Sequence, residues 1–334
     1  MYPTSRYPPT NKPLTGAFIT SFRAKYPDTP VTFFLRSTEL DGVLRDLGNT
    51  SVVHGTFEQL DEIEKLAAAH SLVLNCAASM NVPVTEAIIR GARARKAETG
   101  ETSVVYHLSG AGNFVDNSET GDFIATEHRF DDANPADVRT ISAANQPNGP
   151  CDELLFAAAT KGDAKVYFVC PAGVYGHSDG HVGKSVGAAA AFAPGVWTDY
   201  MMRNTEFLGF GAYVGSGTSV FGVIHVNDVV SLMMLVYQKV LDTVATYQPE
   251  DVYTHWYNGK YSEEPSKKLA TAFAAVQARR GKIPAAETKS VAYSEAGFVA
   301  RYIAGNMLID CNNSKSLGWT PRGPDIYTTL NELA

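Results

Sequence analysis

The chain has 334 residues, 45% of them hydrophobic and 19% charged, enough apolar content to bury a large core in one domain or one and a half. A formal net charge of -7 without clustered Lys and Arg argues against a surface that tracks a phosphate backbone, so nucleic acid is not an expected partner. Cys76, Cys151, Cys170 and Cys311 stand far apart with no C-x-x-C, which reads as reduced, packed thiols and neither a zinc knuckle nor a disulfide framework.

No apolar run approaches the roughly 20 residues that cross a bilayer. The opening MYPTSRYPPTNKP is proline-rich and polar, unlike a signal segment, so a cytoplasmic protein with no membrane partner is expected. Pro3, Pro8, Pro9 and Pro13 predict an irregular stretch over residues 1–14. From residue 31 to residue 175, short β-branched or aromatic runs alternate with amphipathic segments, the pattern of repeated βαβ units and a mostly parallel sheet. Strands are predicted at Val31–Leu35, Ser51–His54, Leu72–Cys76, Ser103–Leu108 and Val166–Cys170, and helices at Phe57–His70, Val82–Thr99 and Cys151–Lys161. The stripe Leu60, Ile63, Leu66 and Ala67 illustrates the helical spacing. VTFFL, LVLNC and VYFVC are near-continuous apolar runs, as strands covered on both faces should be. After Tyr175 the Gly- and Ala-rich HSDGHVGKSVGAAAAFAPG breaks the rhythm, so residues 15–176 are expected to form the main domain and 177–334 a smaller substrate-side lobe.

Several pieces, taken in order, resemble the extended short-chain dehydrogenase/reductases. FITSFRAKYPDTPVTFFLRS is similar to that family's first helix and second strand, HGTFEQLDEIEKLAAAHSLVLNCAAS to its third strand, helix and fourth strand, and VVYHLSGAG to its fifth strand. VYFVCPAGVYG resembles the sixth strand and its Pro-Gly turn, FGVIHVNDVV a V-H-V-x-D segment, and SKSLGWTPR a C-terminal G-W-x-P element. The resemblance spans the chain from about residue 15 and is strongest to atypical fungal-type, NAD-dependent epimerase/dehydratase-like members. It implies an α/β fold with a doubly wound, mostly parallel Rossmann-type sheet, and a dinucleotide across the carboxyl ends of its strands.

Two family features are missing. Where a first strand and Gly-rich turn should stand the chain reads KPLTGAFITSF, with Gly16 alone matching the last glycine of the turn. A shortened or mis-spliced start, a divergent substitute strand and a lost cofactor site remain as explanations, the first favoured because losing a central strand leaves two neighbours unpaired. The Tyr-Lys pair is also gone. Alignment from CDELLFAAAT, whose Glu153 matches the acidic residue after the motif, puts Asn145 and Gly149 at those positions, and none of the 16 tyrosines has Lys four residues on.

The resemblance then implies these roles. Arg36 after the second strand would hold a 2′-phosphate, favouring NADP over NAD. Ala77, Ala78 and Ser79 would pack against the adenosine ribose, with Pro171 and Val174 completing the cofactor set, while Thr56 replaces an adenine-contacting Asp. Ser109 would orient the substrate oxygen. Tyr175 and His177 are proton-donor candidates, with Asp116 and His128 on the same rim, since histidine exchanges protons near neutrality. His177 and His181 are four apart, but Gly176 and Gly180 argue against the helix that would make them a metal pair, so no metal is expected. GHSDGHVGKS only approximates a phosphate loop, and His225 and Asp228 read as packing and helix-capping residues. The expected function is NAD(P)-dependent reduction, epimerisation or isomerisation of a small organic molecule, with homodimer pairing through helices that flank the sheet. The competing expectation is a catalytically silent nucleotide-binding or regulatory protein.

Overall fold

A computed structural model describes residues 12–125, 128–177 and 196–332. In chain order the first part runs α1 (Lys12–Lys25), β1 (Val31–Leu35), α2 (Asp41–Asp46), β2 (Thr50–His54), α3 (Leu60–Ala69), β3 (Leu72–Asn75), α4 (Val82–Thr99) and β4 (Val104–Leu108). Next come β5 (Phe130–Asp131), α5 (Pro135–Val138), α6 (Gly149–Thr160), β6 (Lys165–Pro171) and β7 (Gly173–Tyr175). The β-branched and aromatic runs became the strands. Helix α4 has the bounds its signals predict: the Asn81 side chain accepts from Val84 N at 3.2 Å to cap its start, and Gly100 (φ 77°) ends it. One expectation is corrected at the other end of this region. Residues 12–14 are helical, because Pro13 falls in the first turn of α1, where a missing N–H costs nothing.

The sheet is parallel and interrupted. Strands β10 (Trp256–Gly259), β6, β4 and β3 lie side by side in that order, all parallel, and β1 pairs in parallel with β2 alone. Among the described residues nothing is laddered between β1 and β3, so each keeps one edge without a strand partner. Burial differs on the two sides: β4 is buried along its whole length, whereas all of β1 and Leu72–Leu74 of β3 are only half-buried. Side chains tie β1 and β2 to the rest instead. His70, just before β3, bonds Thr32 Oγ1 at 2.9 Å, and the buried Arg23 guanidinium donates to the carbonyls of Pro27, Thr29 and Asn49, fixing the turn from α1 into β1.

Helix α1 packs on the helix Val226–Thr243, with the Phe22 ring edge-on to Tyr237 at 5.0 Å, while α3, α4 and α6 form a second layer. The later chain adds smaller sheets: β9 (Val220–His225) lies between β7 and β11 (Ser262–Pro265), β8 (Gly211–Val214) pairs with β12 (Thr288–Val291), and β5 pairs with β13 (Ile309–Asp310). The two distant sequence pieces V-H-V-x-D and G-W-x-P meet here. The Asp228 carboxylate accepts from Arg322 N and Gly323 N, the Trp319 indole donates to Asp228 O, and His225 caps the helix it precedes, the packing and capping roles expected of them. All four cysteines are buried and none is in a disulfide. Among the described residues no helix is long and apolar enough to cross a membrane.

Candidate functional site

A cavity of about 570 Å³ runs along the carboxyl ends of the parallel strands. The strand ends and the loops beyond them supply its lining: Arg36 after β1, Phe57 after β2, Ala77–Met80 after β3, Leu108–Gly112 at the end of β4, and Pro171–Val174 at the end of β6. Strands in a layered α/β fold stop at this level and their loops diverge, which leaves a crevice there. Leu14 from the first turn of α1 reaches the cavity, and Trp197, Tyr200, Phe221 and Tyr302 close the far wall. The lining is dominated by small residues and apolar rings, with few polar groups to orient a ligand.

Of the residues anticipated from sequence, Arg36, Ala77, Ala78, Ser79, Pro171, Val174 and Ser109 line this cavity together. Gly16 does not: it is buried inside α1, where its carbonyl accepts from Thr20 Oγ1 at 2.9 Å. Arg36 lies near Glu58, whose carboxyl is held below its usual range first by the Thr56 side chain, then by its own backbone N–H and, more weakly, by the Arg36 charge. Tyr175 is a correction. It is fully buried, its phenol donates to Pro324 O at 2.8 Å, its ring stands edge-on to His225, and burial pushes its pKa up, so its proton is committed to packing. His177 is half-buried beyond Gly176 and does not line the cavity; His181 and most of the phosphate-loop-like segment lie outside the described residues. Asp116 accepts from Asn306 N and Nδ2, and His128 bonds Asp137 at 3.1 Å, both away from the cavity.

The position aligned with the family lysine is closed. Gly149 opens α6 against the Ser142 carbonyl, which sits where a Cβ would go, so no side chain fits there. Asn145 is spent on the loop, accepting from Ser142 N at 2.8 Å and donating to Asn113 O at 3.3 Å.

A buried polar group that the sequence reading missed lies directly behind Ser109. Ser109 Oγ donates to Asp152 Oδ2 at 2.7 Å, and Asn113 Nδ2 donates to the same oxygen at 2.6 Å. His107 Nε2 is 3.4 Å from Asp152 Oδ1, within ion-pair reach but too poorly aligned for a hydrogen bond, and neither atom completes one with any described residue. Asn75 Nδ2 reaches His107 Nδ1 at 3.2 Å, and Asn75 Oδ1 accepts from Ala78 N, tying the network to the cavity floor. Asp152, His107 and Ser109 are all buried. Two signals were available. His107 in β4 and Ser109 just past its end, where the ladder continues through Ser109 N to Val169 O, are two apart and so share a face, and Asp152 stands three and four residues before the buried Leu155 and Phe156 on α6.

No protein-family model and no curated protein sequence matches the chain. Solved structures do. dTDP-glucose 4,6-dehydratase from Bacillus anthracis, in complex with NAD, is similar at 15% identity and a TM-score of 0.56, over 96% of this chain and 91% of that one. UDP-glucose 4-epimerase from Thermotoga maritima, with UDP-glucose, gives 14% and 0.53 over 94% and 92%. UDP-glucuronic acid 4-epimerase from Bacillus cereus, in complex with UDP-glucuronic acid and NAD, gives 10% and 0.55 over 95% and 93%. At these identities the likeness establishes a shared fold across nearly the whole chain, the fold that the sequence resemblance implies.

Proposed function

We propose that the cavity binds a nicotinamide dinucleotide beside a small organic substrate, and that the protein carries out reductase, epimerase or isomerase chemistry there. The observation that carries this reading is the position of the cavity, continuous along the carboxyl ends of β1, β3, β4 and β6 in a parallel sheet. The residues present fit the two ends of such a ligand. Ala77, Ala78 and Ser79 leave room for an adenosine ribose, and Pro171–Val174 together with Ser109 border the place for the reacting ring. Between them the first turn of α1 reaches the cavity, although no Gly-rich turn precedes it among the described residues. When bound, the dinucleotide supplies the hydride acceptor or donor; Ser109 orients the substrate oxygen.

Arg36 at the cavity rim favours NADP, since a guanidinium can fork onto a 2′-phosphate. The sugar nucleotides held by the similar structures are the first substrates to screen. Titration with NADH and NADPH, followed by nicotinamide fluorescence, tests the reading: saturable binding is expected, and no binding of either at millimolar levels overturns it. Arg36→Ala should weaken NADPH about tenfold more than NADH, the loss of one charge-assisted contact. Equal weakening removes the NADP assignment. The closed Gly149 position favours one second reading, a nucleotide-binding protein without turnover, which binding without conversion of any screened substrate would support.

A further inference from the structure

We propose that Ser109, Asp152 and His107 form a proton relay that takes the place of the absent Tyr-Lys pair, with Asp152 accepting the Ser109 hydroxyl proton while Ser109 takes one from a bound alcohol. The inference rests on the cavity being a substrate site, and it names the acid/base group of that site.

The geometry has three parts. Side chains alternate along β4 and the residue just past it, whose Ser109 N continues the ladder to Val169 O, so His107 and Ser109 point to one face, and the parallel register sets Asn75 of β3 beside His107 on that face. Helix α6 lies over it and delivers Asp152 from its first turn, where the helix dipole favours a carboxylate. Ser109 alone borders the cavity, so Asp152 and His107 act through it as positioning residues. Burying a carboxylate and an imidazole together is costly unless their hydrogen bonds are complete. Here Oδ2 holds the hydrogen bond from Ser109 along which the proton would move, while Oδ1 faces His107 Nε2 at 3.4 Å without a completed bond, so the imidazole stands against the carboxylate's other oxygen.

The proton count closes. The alcohol O–H bond breaks and a new Ser109 O–H forms, while the original Ser109 proton moves 2.7 Å along its hydrogen bond to Asp152 Oδ2. The reverse sequence returns a proton to a carbonyl that has received hydride. The other titratable groups against Asp152 are Cys151 on α6 and Cys170 on β6, whose thiols burial pushes up, so they stay protonated while the relay works.

The test needs neither the natural substrate nor the dinucleotide. Phenylmethanesulfonyl fluoride is added to the full chain, and modification of Ser109 is followed by mass spectrometry of peptides as a function of pH. The hydroxyl reacts only if its proton is drawn off as the oxygen attacks sulfur and fluoride leaves. Expected are labelling at Ser109, a rate that falls on acidification, and a loss of about a hundredfold in Asp152→Asn, the range of a removed general base. In His107→Gln the pH midpoint should move while labelling persists. No label at Ser109, a flat pH profile, or an Asp152→Asn rate equal to wild type overturns the relay. Should Asp152→Asn fail to fold by circular dichroism, the wild-type profile and His107→Gln decide. NADH titration of the same proteins is read separately, so a failure to bind dinucleotide and a failure of the relay are told apart.

Discussion

The two parts of the sheet differ in how they are held. In β3, β4, β6 and β10 every neighbour is joined by a parallel ladder, and above β6 the rings of Phe156, Phe168 and Trp256 lie 4.8–5.8 Å apart in the core. The pair β1 and β2 has its own ladder but meets the rest through α1, Arg23 and His70, and its apolar residues stay half-buried. A ladder and a close-packed core make one part a single cooperative unit; side-chain ties let the other respond locally. The cavity spans the junction, so ligand contacts on the Arg36 side rest on the looser part and those on the Ser109 side on the rigid one.

Truncation should separate the two parts most strongly. Trp256→Ala, in a fully buried ring cluster, is expected to cost about 4 kcal/mol, and Phe33→Ala in half-buried β1 about half that, both measured by urea denaturation. Equal losses would mean the parts are one unit. Acid comes next. His255 is stacked between Tyr167 and Tyr247, and burial lowers its pKa from 6.5 to about 4. The folded chain therefore stays unprotonated there while the unfolded chain takes up a proton, so its contribution is complete above pH 6.5 and is lost as pH falls toward 4, about 3 kcal/mol in all. Asp132, which burial raises from 3.8 to about 6, works in the opposite direction between those values, so the comparison with His255→Gln isolates the histidine. A variant with the same pH dependence as wild type would contradict the assignment. The smallest effect belongs to the tie: Arg23→Ala should cost about 1.5 kcal/mol, the low end for lost charged hydrogen bonds. It should speed amide exchange in β1 and β2 while leaving β4 and β6 unchanged, and faster exchange in all four would dissolve the distinction.

Much of this was legible in the residues. VTFFL gave β1 its bounds, and Asn81 with Gly100 gave α4 its own, because apolar runs and caps are local signals. Seven of the anticipated residues do gather at one cavity, and among the described residues β1 and β3 each keep an edge without a strand partner. What escaped depends on contacts distant in sequence. Tyr175 follows a strand as a rim residue would, yet its phenol turns toward Pro324, far along the chain. Asp152 sits beside the exposed Glu153 and reads as part of a solvated helix start until α6 is laid over β4. The short strands after residue 196 carry too few residues each for a period to show.

Amide hydrogen exchange with and without saturating NADH tests the central claim most directly. Protection should rise at Ala77–Ser79, Ser109–Gly112 and Gly173–Val174, the backbone that borders the cavity, with little change on the helix Ser266–Arg279. Unchanged exchange at those three segments, or protection gained elsewhere, would contradict the assignment of the cavity to a dinucleotide.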